Sequence, residues 1–154
     1  MNIEKLNKFL VKAKKNTYAS GSGGGEKTLR EDGCKELIYS QKPLVYRDRY
    51  FGASCFVGEE IIFENSQAIW GMNYHGEILD KKIKDEDIVP FLKKALSQVE
   101  KKFPFRGPKK MQEHNKIYKN SARGNISSFT GREEIYFNGK KVYQLYYHGG
   151  FIKK

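Results

Sequence analysis

The sequence predicts an α+β fold in which two helices pack on a largely antiparallel sheet, built from two related halves of one helix plus strands each. Three observations predict this class. Two segments carry apolar residues at helical spacing, two longer segments alternate apolar and polar residues, and one strand-rich segment recurs later in the chain. At 154 residues the chain can bury one core but not two independent ones, so we expect a single domain over residues 1–154.

The first predicted element is an amphipathic helix over residues 2–16. Its apolar stripe consists of Ile3, Leu6, Phe9, Leu10 and Ala13, and charged residues occupy the opposite face. The stretch SGSGGG (20–25) follows, and its glycines favour a flexible loop. A phosphate-binding loop is excluded, because no strand leads into the glycines and no Lys-Ser or Lys-Thr follows them.

Residues 35 to about 79 are predicted to form an antiparallel meander. The segments KELIYS, PLVYRDRYFG and GEEIIFENSQAIWGMNYHG read as four strands, the last two joined by a hairpin that turns at 64–67. A second set of three strands begins at NKIYKNSA (115–122) and contains a hairpin that turns at Asn138-Gly139, a pair suited to a type I′ turn.

The strongest helix signal lies between these two sets of strands, in DEDIVPFLKKALSQVEKKF (85–103). Acidic residues and Pro90 occupy its first turn and lysines its last, as helix termini prefer. The prolines of FPFRGP (103–108) bar its continuation. The predicted buried stripe consists of Ile88, Phe91, Leu92, Ala95, Leu96 and Val99.

A repeated segment divides the chain into two halves, about 1–80 and 81–154. Without a gap, FVGEEIIFENSQAIWGMNYHG (56–76) aligns with FTGREEIYFNGKKVYQLYYHG (129–149) at eight identical positions of 21. A shorter echo, FLVKA (9–13) and FLKKA (91–95), precedes each copy. We interpret the repeat as an internal duplication; the alternative is that two hairpins converged on one pattern. The identical pairs are Phe56/Phe129, Gly58/Gly131, Glu60/Glu133, Ile62/Ile135, Asn65/Asn138, Tyr74/Tyr147, His75/His148 and Gly76/Gly149.

The composition limits which binding partners and which cellular compartment can be expected for this protein. The net charge is +11, but only six of the 29 basic residues are arginine and the lysines are spread along the chain, which favours a solvated surface. Lysine clusters on the second helix and its flanks leave nucleic-acid binding as an alternative. The lysine-bearing start predicts neither a signal peptide nor a membrane span, so we expect a cytoplasmic protein without membrane contact. Two cysteines are too few for a disulfide framework or a zinc site.

Alternation along the repeated strands puts large aromatic residues on one face. Such a set is more often a core than the wall of a ligand cleft, although tyrosine brings a hydroxyl that needs a partner when buried. We predict a ligand cleft walled by Trp70, Tyr74, Tyr143 and Tyr147, with Glu60, Glu133 and Arg47 as polar groups that orient the ligand.

The repeated carboxylates and histidines allow several interpretations. Glu60 and Glu133 could face each other or each pair with an arginine such as Arg47, Arg49 or Arg123, and we favour ion pairs over an acid and base. His75 and His148 alone make a poor metal site, so we expect no metal and no cofactor. No triad order, nucleophile elbow or HExxH spacing occurs, so no catalytic residue is assigned.

The stretch YRDRYFG (46–52) interleaves basic and aromatic residues as single-stranded nucleic-acid platforms do. Asp48 between the two arginines weakens the positive field, so we favour a strand with a salt-bridged polar face.

Several motifs in this order and spacing resemble a bacterial family catalogued as domain of unknown function 5680. They are FLVKAKKNTYASG, YRDRYFG, FVGEEIIF, IWGMNYHG, FRGP, FTGREEIYFNG and YQLYYHGG. Members of that family occur alone or behind an Xre-type helix-turn-helix segment, and this chain resembles the stand-alone form. The resemblance carries over no functional residue. The fusion implies that the domain senses a small molecule or mediates assembly, which is an analogy of architecture.

Together these observations predict a non-catalytic module that binds or senses a small molecule. The first alternative is nucleic-acid or polyanion binding through a lysine-rich face, and the second is an enzyme that uses Glu60 or Glu133 as its acid or base. An exposed sheet face or edge is also compatible with a homodimer.

Overall fold

The computed structural model describes residues 2–19 and 27–153, so the predicted glycine loop (20–25) lies outside the described residues. Two helices, α1 (Ile3–Lys15) and α2 (Asp85–Leu96), accompany a nine-stranded antiparallel sheet. The strands are β1 (Thr28–Leu29), β2 (Lys35–Gln41), β3 (Leu44–Gly52), β4 (Cys55–Glu64), β5 (Gln67–Ile78), β6 (Lys110–Glu113), β7 (Lys116–Asn125), β8 (Ser128–Phe137) and β9 (Lys140–Phe151). The α+β class with two helices on an antiparallel sheet is confirmed.

The sheet consists of two meanders that meet at its centre. Its order is β1-β2-β3-β4-β5-β9-β8-β7-β6, so each half of the chain contributes consecutive strands and β5 pairs with β9. The segment that contains α2 crosses from the centre of the sheet to its far edge. The prediction of four and three strands missed β1 and β6, because both edge strands are too short to display an alternating pattern.

The helix α2 begins where the sequence predicts and ends at Leu96 instead of residue 103. The Ser97 hydroxyl donates to the Lys94 carbonyl oxygen at 2.7 Å, and the amides of Gln98 and Val99 bond three residues back. Such local bonds compete with continuation of the helix. Val99 is nevertheless buried, as its place in the apolar stripe predicts.

Both helices cover the aromatic face of the sheet. The buried cluster includes Leu6, Phe9 and Leu10 from α1, Ile88 and Phe91 from α2, and large residues of the central strands. The opposite face is open: Asn73, His75, Tyr146 and His148 are exposed on it. The alternation in the sequence therefore predicts which residues share each face, and the structure shows that the aromatic face belongs to the core. No helix in the described residues combines the length and the apolar character needed to cross a bilayer.

The register gives physical reasons for several of the repeated residues. Tyr74 lies opposite Tyr147 across β5 and β9, and each ring lies over a glycine of its own hairpin, Gly58 and Gly131. A Cβ atom at Gly58 would lie 2.5 Å from the Tyr74 hydroxyl, and one at Gly131 would lie 2.2 Å from Cζ of Tyr147. The repeated Gly and Tyr are thus a cross-strand packing pair.

Candidate functional site

A pocket of about 280 Å³ lies between α2 and the strands of the first half. Its sheet side carries Tyr50, Phe56 and Tyr74, and its helix side carries Leu92 and Leu96. Charged and polar side chains complete the lining. They are Asp48, Arg106, Lys27, Lys35, Lys93, Asp85 and Tyr18. An apolar hollow with a few convergent polar groups is the usual form of a small-molecule site.

Asp48 enters the pocket because strand β3 alternates. Tyr46, Asp48 and Tyr50 share the covered face, and the neighbouring arginines point to the other side. The carboxyl of Asp48 is buried and accepts a 2.6 Å hydrogen bond from the Tyr74 hydroxyl. In the ladder between β3 and β4 it lies directly opposite Glu60, which is also buried. Burial first, and then the Glu60 charge, raise the pKa of Asp48 from 3.8 to about 7.

Glu60 forms an ion pair with Lys14 of α1, and neither side chain is exposed. The distance from Lys14 Nζ to Glu60 Oε2 is 2.6 Å, and the same ammonium donates to the Phe105 carbonyl oxygen at 2.5 Å. Burial lowers the pKa of Lys14, although the Glu60 charge opposes that shift. Within the described part of the chain, neither oxygen of Glu60 accepts a well-aligned hydrogen bond. The Glu60 carboxylate therefore depends on the Lys14 charge.

Glu133, the counterpart of Glu60 in the repeat, is held by four donors. Arg106 donates two hydrogen bonds to it, from Nε to Oε2 at 3.2 Å and from Nη2 to Oε1 at 3.0 Å. The Tyr143 hydroxyl donates to Oε1 at 3.0 Å, and the Tyr118 hydroxyl donates to Oε2. Such a fully bonded carboxylate has no lone pair directed at a ligand, so its role is to hold Arg106 in place.

Arg106 connects this network to the pocket. Its guanidinium lies 5.7 Å from the centre of the Tyr74 ring and 5.4 Å from that of Tyr18, within the range of cation–π attraction. It comes from the loop after α2, in the FRGP motif. One side of the guanidinium thus binds Glu133, and the residue also lines the pocket.

The ionisable groups buried beneath the helices do not balance when all are charged, whereas the other two buried carboxylates, Glu36 and Glu134, each pair with a basic residue of their own. Two cations, Lys14 and Arg106, face three carboxylates, Asp48, Glu60 and Glu133. A proton on Asp48 restores neutrality, in agreement with its raised pKa. Near neutral pH the pocket floor therefore alternates between a neutral carboxyl group and a buried anion.

Of the four aromatic residues predicted to wall a cleft, only Tyr74 lines this pocket. The Trp70 indole is fully buried, donates to the Ile126 carbonyl oxygen at 3.0 Å and stacks on Phe129. Tyr143 is bonded to Glu133, and the Tyr147 hydroxyl donates to Asn120 Oδ1 at 2.8 Å. These three rings lie in the core beneath the helices.

The predicted polar groups are also distributed differently. Glu60 and Glu133 are each in an ion pair, but with Lys14 and Arg106 instead of Arg47, Arg49 or Arg123. Neither carboxylate lines the pocket, so an acid or base at these positions would lack access to a substrate there. Arg47 lies on the opposite face, with its guanidinium 4.8 Å from the Phe63 ring.

Sequence reasoning did not select Asp48, Tyr50, Phe56 or Arg106. A usable signal existed for the first two, because alternation in YRDRYFG puts Asp48 on one face with two tyrosines. The arginines of that motif lie on the open face, where Arg49 pairs with Asp32 at 3.3 Å, as a salt-bridged polar face predicts. No spacing rule indicates Arg106, because only the folded chain brings its loop to the pocket.

The repeated histidines lie outside this site. His75 and His148 are exposed on the open face, and the Cys55 thiol is 3.6 Å from His75 Nε2. Among residues 2–19 and 27–153, no three His, Cys, Asp or Glu side chains group as a metal site would require.

Comparison with known families gives a match over about two thirds of the chain. The sequence model of the family described as "Domain of unknown function (DUF5680)" matches residues 48–152. The matched segment starts at Asp48 on the pocket floor and includes α2, Arg106 and Glu133. Comparison with curated proteins gave no match, and neither did comparison with solved structures.

Proposed function

The chain belongs to the DUF5680 family, and because the description of that family assigns no activity, we propose a function from the geometry. The protein is a non-catalytic module that binds or senses a small molecule in the pocket between α2 and the sheet. The observation that carries this proposal is the convergence of Asp48, Tyr74 and Arg106 on one apolar hollow. Buried ionisable groups are costly, and their placement at a pocket is typical of functional sites.

The size of the pocket supports a small ligand. Sites for drug-sized ligands occupy roughly 300–1,000 Å³, and this pocket of about 280 Å³ lies just below that range. A single aromatic ring or a short branched acyl chain fits such a volume, whereas a dinucleotide does not. Tyr50, Phe56 and Leu92 provide an apolar surface on which a flat ligand ring can pack.

The charges at the rim support an anionic ligand. Three lysines, Lys27, Lys35 and Lys93, line the pocket against one rim carboxylate, Asp85. The ammonium groups of Lys27 and Lys35 lie 5.1 and 5.4 Å from the centre of the Tyr50 ring. A carboxylate or phosphate on the ligand can bind these cations while its apolar part packs on the aromatic wall. We therefore propose a small aromatic or acyl anion as the ligand class.

The test compares small anions with their neutral analogues. Benzoate, phenylacetate and indole-3-acetate are titrated by calorimetry into the protein, alongside the corresponding amides. Leu92→Trp should fill the pocket and abolish binding of the acids, whereas Val57→Trp, on the exposed opposite face, should leave binding unchanged.

Three outcomes overturn the proposal. If the amides bind as tightly as the acids, or if no acid binds, the anionic ligand class is wrong. If Leu92→Trp binds the acids as well as the unmodified protein does, this pocket is not the site.

We also propose that the two halves, about 1–80 and 81–154, descend from a duplicated α-plus-strands unit. Two observations support this proposal: the offset of 73 relates Tyr74 to its cross-strand partner Tyr147, and a β-bulge follows both Ile62 and Ile135, which the same offset relates. Alignment of the two halves in other family members tests it. A common origin predicts identities at positions that neither turn nor packing requires, such as His75 and His148.

A further inference from the structure

A second basic site lies on the outer side of α1, away from the pocket described above. A groove of about 250 Å³ separates this helix from the turn between β2 and β3. Four lysines line it, Lys5, Lys8 and Lys12 from the helix and Lys42 from the turn, together with Phe9, Gln41, Pro43 and Leu44. No acidic residue lines the groove among the described residues.

The sequence of α1 explains this concentration of charge. Leu6, Phe9, Leu10 and Ala13 pack on the sheet, so the lysines at intervals of three and four residues fall together on the outer face. Glu4 is the one acidic residue of the helix, and it pairs with Lys8 one turn away. Lys12 Nζ donates to Gln41 Oε1 at 3.0 Å, which directs that ammonium to the groove.

The other helix lacks this excess, although sequence clusters favoured it as the basic face. Three acidic residues, 85–87, occupy its first turn. In the last turn of α2, Lys94 pairs with Glu113. Just before its first turn, the N-cap residue Lys84 pairs with Glu86. The local field of α2 is therefore largely compensated, whereas that of α1 is not.

The groove has the chemistry of a phosphate-backbone site. From Lys5 to Lys12 the helix rises about 10 Å, at 1.5 Å per residue, a length that spans several backbone charges of a nucleic acid. Lysine acts as a point charge for phosphate, and the groove presents no arginine and no exposed aromatic ring to read bases. Phe9 and Leu44 are buried, so the groove also offers no bulky apolar side chain for insertion into a lipid layer.

We propose that the groove formed by α1 and the β2–β3 turn binds the phosphodiester backbone of nucleic acid without sequence preference. This site is separate from the proposed small-molecule pocket and does not depend on it. Because Lys8 pairs with Glu4, three lysines are available, and binding should neutralise about three phosphates, which gives a slope of about −2.7 for log K against log salt concentration. Affinity should then fall about 40-fold between 50 and 200 mM salt.

The experiment measures fluorescence anisotropy of a labelled 20-base-pair DNA duplex across that salt range. The variant Lys5→Gln/Lys12→Gln removes two groove charges, and Lys109→Gln/Lys110→Gln removes two exposed charges at the start of β6 as a matched control. All four side chains are exposed, so neither double substitution should change the thermal unfolding midpoint. An unchanged midpoint then verifies that each variant is folded. We expect the groove variant to reduce the magnitude of the slope by about 1.8, so that affinity falls only about 3.5-fold over the range, and the control to keep the original slope.

Three results would overturn the proposal. An equal loss in both double variants would mean a diffuse charge effect, and absence of DNA binding at 50 mM salt would mean no site. Binding of vesicles with 30 % phosphatidylserine that is stronger than DNA binding, and sensitive to Lys5→Gln/Lys12→Gln, would assign the groove to a membrane surface.

Discussion

Replacing Asp48 by Asn should stabilise the protein at pH 8 and should do so by a clearly smaller amount at pH 5. The pKa of Asp48 is about 7 in the folded protein and 3.8 as its ordinary value. Between about pH 4 and pH 7, therefore, the folded state holds a proton that the unfolded state has released. Stability from this group is present at low pH and is lost as the pH rises through that window. At 1.36 kcal/mol per pH unit the full loss is at most about 4 kcal/mol, shared with the opposing Glu60 charge.

The assay is urea unfolding at pH 5, 6, 7 and 8, followed by the fluorescence of Trp70, which is the one tryptophan and is fully buried. Asn keeps the shape of the side chain and can still accept the hydrogen bond from Tyr74. Asp85→Asn, which removes an exposed carboxylate from the same pocket, controls for the loss of charge alone. The difference in unfolding free energy between Asp48→Asn and the unmodified protein should grow with pH. A difference that is constant or shrinks from pH 5 to pH 8 would refute the reasoning.

The other predictions concern the core beneath the pocket, and urea or thermal unfolding measures each of them. Glu133→Gln leaves a buried guanidinium without its counter-charge and should cost about 3–5 kcal/mol; a loss below 1 kcal/mol would contradict the ion-pair account. Lys14→Met should cost a similar amount, and adding Glu60→Gln should restore much of it, whereas additive losses would show that the two side chains are not coupled. Gly131→Ala drives a Cβ atom into the Tyr147 ring and should cost about 1–3 kcal/mol, so an unchanged midpoint would argue against that packing.

The fold class could be predicted from the sequence because periodicity reports local structure. The apolar stripe of α2 and the alternation along β5 and β9 fix which side chains share a face, and Trp70, Tyr74 and Tyr147 do share one. The first and last residues of the helices and strands were harder to predict from the sequence. The end of α2 coincides with local hydrogen bonds of Ser97, Gln98 and Val99, and β6 is four residues long.

The candidate site could be predicted only in part, since it depends on contacts between distant segments. Lys14 and Glu60 lie 46 positions apart in the chain, and Arg106 and Glu133 lie 27 apart, with no motif that links either pair. Sequence reasoning anticipated that both glutamates form ion pairs, but it could not identify the cations. The aromatic face was identified, yet the position of α2 decides that Tyr74 reaches a pocket and Trp70 does not.

The structure explains some of the repeated residues but not others. The Gly and Tyr of each copy are explained by a ring that packs over a glycine, so their identity follows from the geometry of one hairpin. The repeated histidines have no such contact in common: His75 lies near the Cys55 thiol, whereas His148 lies opposite Thr130 on the neighbouring strand.

A titration followed by nuclear magnetic resonance is the most direct test of whether a small anion binds between α2 and the sheet. Indole-3-acetate is added to ¹⁵N-labelled protein, and amide shifts are followed residue by residue. Binding in the pocket should produce the largest changes at Tyr50, Tyr74 and Leu92, with saturation, and smaller changes on the open face near Tyr146. Changes centred on the open face, or none up to about 10 mM ligand, would contradict it.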